Sequence, residues 1–235
     1  MAINDFKLES PDNFEQKTLC CFVIDVSGSM AGMPIQELEK GLHEFHNEIL
    51  QDSMMSNRLE IAIIIFSNQI IQLVSPSLPR NFHIPKLKAD GTTKLVEATD
   101  YAIEIVNERK AWFKSTGQPY LRPWIILITD GEPDKDQNVG ALSERIKKDT
   151  FEKKYVFIPI AVGDADMDVL NMLSGYAFSS GSDKILIPPM KLQGLKFSDF
   201  FQWVSASMSM VASSSENSQI SMPSPTNWME GFKIS

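Results

Sequence analysis

FVIDVSGSM, residues 22–30, ends an apolar run on an aspartate and then sets serines at every second position. The run that leads into it, TLCCFVID at 18–25, is β-branched and aromatic and reads as a strand buried on both faces. In an extended loop, alternate residues project to the same side. Asp25, Ser27 and Ser29 therefore offer a carboxylate and two hydroxyls to one point, and Gly28 lets the loop turn tightly between them. Hard cations such as Mg²⁺ take oxygen ligands in a near-octahedral array at about 2.0–2.1 Å, which is the kind of donor set this rhythm provides.

Further along the chain, strands and helices alternate. A helix is predicted over PIQELEKGLHEFHNEILQD, with Ile35, Leu38, Leu42, Phe45 and Ile49 on one stripe. Gly41 in its interior points to close packing of the helix against the sheet. RLEIAIIIFS and IIQLVSP read as an antiparallel hairpin edge joined by a tight turn at Ser67–Gln69. A helix through Leu95, Ala98, Ala102, Ile105 and Val106 precedes the apolar strand PWIILITD, which ends in Asp130. Helix VGALSERIKKDTF, strand YVFIPIAVG, short helix MDVLNMLSG, short strand KILIPP (184–189) and a last helix from about Ser198 complete the order. Such alternation implies an α/β fold of Rossmann-like, doubly wound type. Its sheet is mostly parallel, with one antiparallel edge strand and helices on both faces. The domain is expected over 17–212, after an N-terminal extension at 1–16. The end, 213–235, is Ser/Pro-rich and reads as a linker and tail; Trp228, Phe232 and Ile234 there form a small apolar cluster able to dock on the domain or on a partner.

Ligands of open α/β sheets bind beyond the carboxyl ends of the strands, where strand order reverses. If the chain builds outward from its first strand in both directions, Asp25 and Asp130 face one crevice. The segment DGTTKLVEA adds a threonine, in one of two registers. Thr92, directly after Gly91, is preferred over Thr93.

This combination resembles the von Willebrand factor A (VWA) domain family. Its metal-ion-dependent adhesion site (MIDAS) has the form Asp-x-Ser-x-Ser, a distant threonine, and an aspartate in a Thr-Asp-Gly turn. The resemblance covers roughly residues 17–212 and assigns Asp25, Ser27, Ser29, Thr92 and Asp130 as ligands of Mg²⁺ or Mn²⁺. DVSGSMAGMPI, LITDGEPDKD and FFQWVSASMS look more narrowly like the bacterial TerY-like branch, associated with tellurium resistance and stress operons. That branch usually has Gly-Gly-Thr where this chain has Asp90-Gly91-Thr92, so Asp90 adds a carboxylate near the site. The resemblance implies a binding module whose ion accepts an acidic side chain from a protein partner, and kinase- or phosphatase-type components of the same operon as candidate partners.

Other chemistries fit less well. A phosphatase with Asp25 as nucleophile usually has a second carboxylate two residues on, and here that residue is Ser27. VSGSM is not the Gly-x-Ser-x-Gly of a serine hydrolase. The expectation is therefore that the chain is not an enzyme; the alternatives are a phosphatase-like hydrolase using Asp25 and a scaffold that has lost metal dependence. Asp134, Asp136 and Asn138 lack the glycine and glutamate of a calcium loop, and Asp164, Asp166 and Asp168 suit a helix start. His43 and His46 share a helix but have no third ligand nearby. A formal charge of -8 disfavours nonspecific nucleic-acid binding. No apolar run approaches the ~20 residues of a membrane span. The only cysteines, Cys20 and Cys21, are adjacent and point to opposite faces of a strand, so a cytoplasmic protein with reduced thiols is expected.

Overall fold

The computed structural model describes residue 11 and residues 13–174, 186–214 and 222–230. Among these residues six strands form one sheet: β1 (Thr18–Asp25), β2 (Leu59–Phe66), β3 (Ile70–Ser77), β4 (Trp124–Thr129), β5 (Val156–Ala161) and β6 (Met190–Lys191). Their spatial order is β3-β2-β1-β4-β5-β6. Every pairing is parallel except β2 with β3. The chain does build outward from β1 in both directions, so β1 and β4 are central neighbours. Pro76 lies on the edge strand β3, where a missing N–H costs no interior ladder bond.

All residues of β1, β2 and β4 are buried, because helices cover both faces. On one side, Cys20, Phe22 and Ile24 share a core with α1 (Met33–Gln51) and α6 (Phe197–Ser213). The short α2 (Ser53–Arg58) packs at the end of α1, with Met55 in the same core. On the other side, Leu19, Cys21 and Val23 meet α3 (Leu95–Thr116), α4 (Val139–Phe151) and α5 (Met167–Leu173). The strand's two-residue period thus divides one apolar run between two cores.

Three features differ from the sequence expectation, the first being the short α2, which no pattern announced. Gly41 permits a helix–helix approach, not a helix–sheet one: a Cβ there would lie 2.8 Å from Phe201 Cδ2 and 3.1 Å from the Phe197 backbone carbon. The last strand falls at Met190–Lys191, not at 184–189. Pro188 and Pro189 have no N–H to pair with β5, so the ladder forms only beyond them; Lys184 and Ile185 lie outside the described residues.

The described part of the tail packs on the domain itself. Trp228 is 1% exposed, with ring centroids 5.0 Å from Phe200 and 5.2 Å from Trp203. Trp203 Nε1 donates to the Pro223 carbonyl at 2.7 Å, and Gln193 N–H donates to the Trp228 carbonyl at 2.7 Å. Phe232 and Ile234 lie outside the described residues.

Gly41→Ala is expected to destabilise the fold by about 1–3 kcal/mol through overpacking, although alanine favours a helix by roughly 1 kcal/mol. Trp228→Ala is expected to cost about 3 kcal/mol, a fall in melting temperature of roughly 6–12 °C for a chain of this size. Thermal unfolding of each variant checks both; an unchanged midpoint for Trp228→Ala would show the tail to be a passive appendage.

Candidate functional site

Asp25 is the last residue of β1 and is fully buried. Its Oδ1 accepts the Ser27 N–H at 2.8 Å, and its Oδ2 accepts the Thr129 hydroxyl at 2.6 Å. Thr129 is buried at the end of β4, so the hydrogen bond ties the two central strands where they open. After Asp25 the chain enters a 3-10 turn at Gly28–Met30. Ser27 Oγ and Ser29 Oγ are 3.0 Å apart, and Ser29 Oγ donates to Asp130 Oδ1 at 2.7 Å. The predicted carboxylates and serines therefore converge on one crevice.

The threonine register comes out differently. Thr92 is exposed, whereas Thr93 is buried. A Cβ placed on Gly131 would lie 3.3 Å from Thr93 Oγ1 and 3.6 Å from Asp25 Oδ2, which puts Thr93 beside both aspartate segments. The reason is local. Gly91 has φ of +85°, and its N-terminal neighbours are fixed by Asp90 N–H to the Val26 carbonyl at 2.8 Å. The chain reverses at Gly91, Thr92 faces outward, and Thr93 turns in.

Neighbouring groups brace that threonine. Thr93 N–H donates to Asp134 Oδ1 at 3.3 Å, and its carbonyl accepts from Asp134 N–H at 3.1 Å and Gln137 Nε2 at 2.6 Å. Gln137 Oε1 in turn accepts the Val96 N–H at 2.6 Å in the first turn of α3. Neither Thr129 nor Gln137 was singled out in the sequence. The Thr-Asp-Gly turn contained the signal for Thr129; nothing local marked Gln137.

Burial is the main influence on the carboxylates. It pushes the Asp25 carboxyl up to about 6, against hydrogen bonds from Ser27 and Thr129 that lower it, with Asp130 adding a smaller upward push. Asp130, half-exposed, is also raised, chiefly by desolvation, while the Ser29 hydrogen bond opposes the shift. Among the described residues no group of three or more His, Cys, Asp or Glu side chains could hold a metal. The crevice has two carboxylates, and its other donors are hydroxyls.

Other candidate groups have structural roles. Asn138 caps α4 by accepting the Ala141 N–H at 3.0 Å, and Asp166 Oδ1 caps α5 by accepting Asp168 N–H at 2.8 Å and Val169 N–H at 3.1 Å. His46 is buried, with Nε2 2.8 Å from the Pro79 carbonyl oxygen, while His43 is exposed. Asp90 is exposed at the rim. Met30 is fully buried in the core, whereas Met33 is 66% exposed.

An open, doubly wound sheet with oxygen donors gathered at its switch point defines an α/β domain of Rossmann-like type. Residues 20–185 match the family model of the von Willebrand factor type A domain, and the chain belongs to that family. A von Willebrand factor A domain-containing protein of Dictyostelium discoideum is 24% identical over 92% of this chain and 24% of its own length. Inter-alpha-trypsin inhibitor heavy chain H2 of Mus musculus is 26% identical over 65% of this chain and 16% of its own. The chain thus spans a quarter or less of these curated relatives. Among solved structures, a von Willebrand factor type A protein from Catenulispora acidiphila superposes with a TM-score of 0.58 at 15% identity, covering 82% of this chain and 42% of that one. The ArnB paralog VWA2 from Sulfolobus acidocaldarius gives 0.53 at 18% identity, over 83% and 46%. These structural likenesses concern the fold. The family commonly mediates protein–protein interaction.

In chelator, the raised Asp25 carboxyl should make the folded protein hold a proton more tightly than the unfolded chain. Its contribution to stability is then present at low pH and declines as pH rises from the ordinary value of 3.8 to about 6. Asp25→Asn is expected to remove that decline and to be more stable than wild type at neutral pH by on the order of 1 kcal/mol. Urea titrations across this pH range in EDTA check it; parallel profiles for the two proteins would mean that Asp25 is not strained by burial.

Proposed function

We propose that the crevice binds one Mg²⁺ or Mn²⁺ through Asp25, Ser27, Ser29, Thr93 and Asp130, and presents it to an acidic side chain of a protein partner. The supporting observation is the spacing of the oxygens. Adjacent vertices of an octahedron with metal–oxygen bonds of about 2.0–2.1 Å lie roughly 2.9 Å apart. The Ser27–Ser29 and Ser29–Asp130 oxygen pairs are separated by 3.0 and 2.7 Å. Hydroxyls and carboxylates suit a hard cation and do not suit a thiophilic one. Both Asp25 oxygens already accept hydrogen bonds, so Asp25 shares its charge with the protein. A divalent ion there keeps the electrophilic character that attracts a further carboxylate.

On this reading the protein is a binding module and not a hydrolase. Ser27 stands where an Asp25-based phosphatase would carry its acid/base carboxylate. A lone metal–carboxylate bond exposed to water is weak, because the carboxylate must shed its hydration. Specificity then comes from the rim: exposed Met33, the Asp90–Lys94 segment and the turn from Glu132 to Asp136. The acidic members of that turn favour a partner with one carboxylate set among neutral or basic neighbours. The TerY-like assignment, with operon-encoded kinase or phosphatase components as partners and a role in stress response or tellurium resistance, rests on the three quoted segments alone. A cytoplasmic setting rests on Cys20 and Cys21 being buried and free. No helix among the described residues is long and apolar enough to cross a membrane.

Calorimetry with Mg²⁺ and Mn²⁺ tests the site. Thr93→Ala and Asp130→Ala are expected to weaken binding at least tenfold, and Thr92→Ala to leave it within twofold. Loss in Thr92→Ala with retention in Thr93→Ala would reverse the register. Partner capture that persists in EDTA would identify a metal-independent scaffold.

A further inference from the structure

At the opposite end of the sheet, where β1, β4 and β5 begin, a cavity of about 640 Å³ lies between the C-terminal ends of α3 and α4. Its volume is in the range of small-molecule sites. In a chain of net charge -8 its charged lining is overwhelmingly basic: Lys110, Lys114, Arg122, Lys153 and Lys154, against Glu152 alone. Two of these cations have partners. Lys154 Nζ lies 2.7 Å from Asp149 and 2.9 Å from Glu152, and Lys110 Nζ donates to the Lys154 carbonyl at 2.8 Å. The side chains of Lys114, Arg122 and Lys153 have no acidic partner among the described residues.

Two independent observations mark this cavity as more than a patch of surface lysines. Lys153 follows the end of α4 with φ of 57°, the only non-glycine residue with positive φ among those described. Glycine is the usual residue at that point of a helix end, and a lysine there holds a cation over the groove at a cost of roughly 1 kcal/mol in backbone strain. Gln118, also in the lining, is 3% exposed. Its Nε2 donates to the Glu15 and Pro119 carbonyls at 2.7 and 3.2 Å, which fixes the amide, and its Oε1 is buried with no hydrogen-bond partner among the described residues. The site thus combines unpaired positive charge with one acceptor that lacks a donor. The crowding is also felt by Lys110, whose ammonium is lowered chiefly by desolvation and then by Lys114 and Lys154.

We propose that this groove binds a small, multiply charged phosphate compound that carries a hydroxyl or other donor, at a site separate from the metal crevice. Phosphate oxygens match Lys and Arg donors in charge and geometry, and the donor completes Gln118. The three unpaired cations call for an anion of more than one charge.

The test is calorimetry of the full chain in EDTA, which silences the metal crevice, with inorganic pyrophosphate and ribose 5-phosphate as probes at low salt. At least one probe is expected to bind with submillimolar Kd and to weaken as salt rises. Arg122→Gln and Lys153→Gly should each reduce affinity at least fivefold, while Lys86→Gln, an exposed lysine elsewhere, leaves it unchanged. Lys153→Gly relieves the backbone strain, so it should melt no lower than wild type, and its loss of binding would not come from unfolding. No heat from either probe, or an equal loss in Lys86→Gln, overturns the proposal. So does an oligoglutamate peptide that competes as strongly as the phosphates, since the groove would then read only negative charge.

Discussion

A buried carboxylate at the end of the central strand is the constraint on which the rest of the crevice depends. Asp25 has no exposed surface, and an unpaired charge there would be costly. Two donors offset the cost: the Ser27 N–H from the loop that follows, and the Thr129 hydroxyl from the neighbouring strand. The second is available only because β4 lies beside β1 with Ile24 opposite Ile128, so that Asp25 and Thr129 leave the sheet together. Strand order, register and polar chemistry are thus joined at a single hydrogen bond.

Around that bond the loops are held largely by their own backbones. Val26 N–H donates to the Phe66 carbonyl at 2.8 Å, Gly28 N–H to Gly91 at 3.0 Å, and Lys94 N–H to Ser67 at 3.0 Å. Glycine is needed at two points. Gly91 takes a positive φ against Asn68, and Gly131 leaves room for the Thr93 hydroxyl. None of these bonds uses the hydroxyls and carboxylates that face the crevice, apart from the braces on Asp25 and Thr93. Apart from Asp25, the frame thus stands on backbone groups, and the Ser27 and Ser29 hydroxyls face the crevice outside it. Such preorganisation lowers the ordering cost of binding.

All strands but the last, and most helices, were legible because each is a local pattern: apolar runs for β1, β2 and β4, and a stripe every three or four residues for α1. Asp25, Ser27 and Ser29 were picked out by their spacing, although Ser29 reaches the crevice from a 3-10 turn and not from an extended loop. The site was misread at Thr92, because a positive φ at Gly91 reverses the chain and spacing no longer predicts facing. Met30, in the 3-10 turn beyond Ser27, is turned into the core. Long-range pairings had no local sign. The buried Arg109–Glu60 ion pair, with bonds of 2.6 and 2.7 Å, joins residues 49 apart in the chain. The docking of Trp228 likewise depends on aromatic rings of α6 that composition could not pair with it.

The domain has a chemical polarity along its strands. Acidic and hydroxyl groups gather at the carboxyl ends, and unpaired cations at the amino ends. β1 has eight residues and separates the two by about 26 Å. Salt screens exposed charges over roughly 8–10 Å, so the ends do not sense each other through solvent. The intervening core is close-packed and apolar, and β4 and α3 both run between the ends: β4 connects Arg122 to Asp130, and α3 is braced in its first turn by Gln137 beside Thr93 and carries Lys110 and Lys114 in its last two turns. A helix of 22 residues packed along its length against β1 and β2 transmits little unless it shifts as a body. Ligands at the two ends are therefore expected to bind with independent affinities, and measured coupling between them would mean that an element joining the ends shifts as a body.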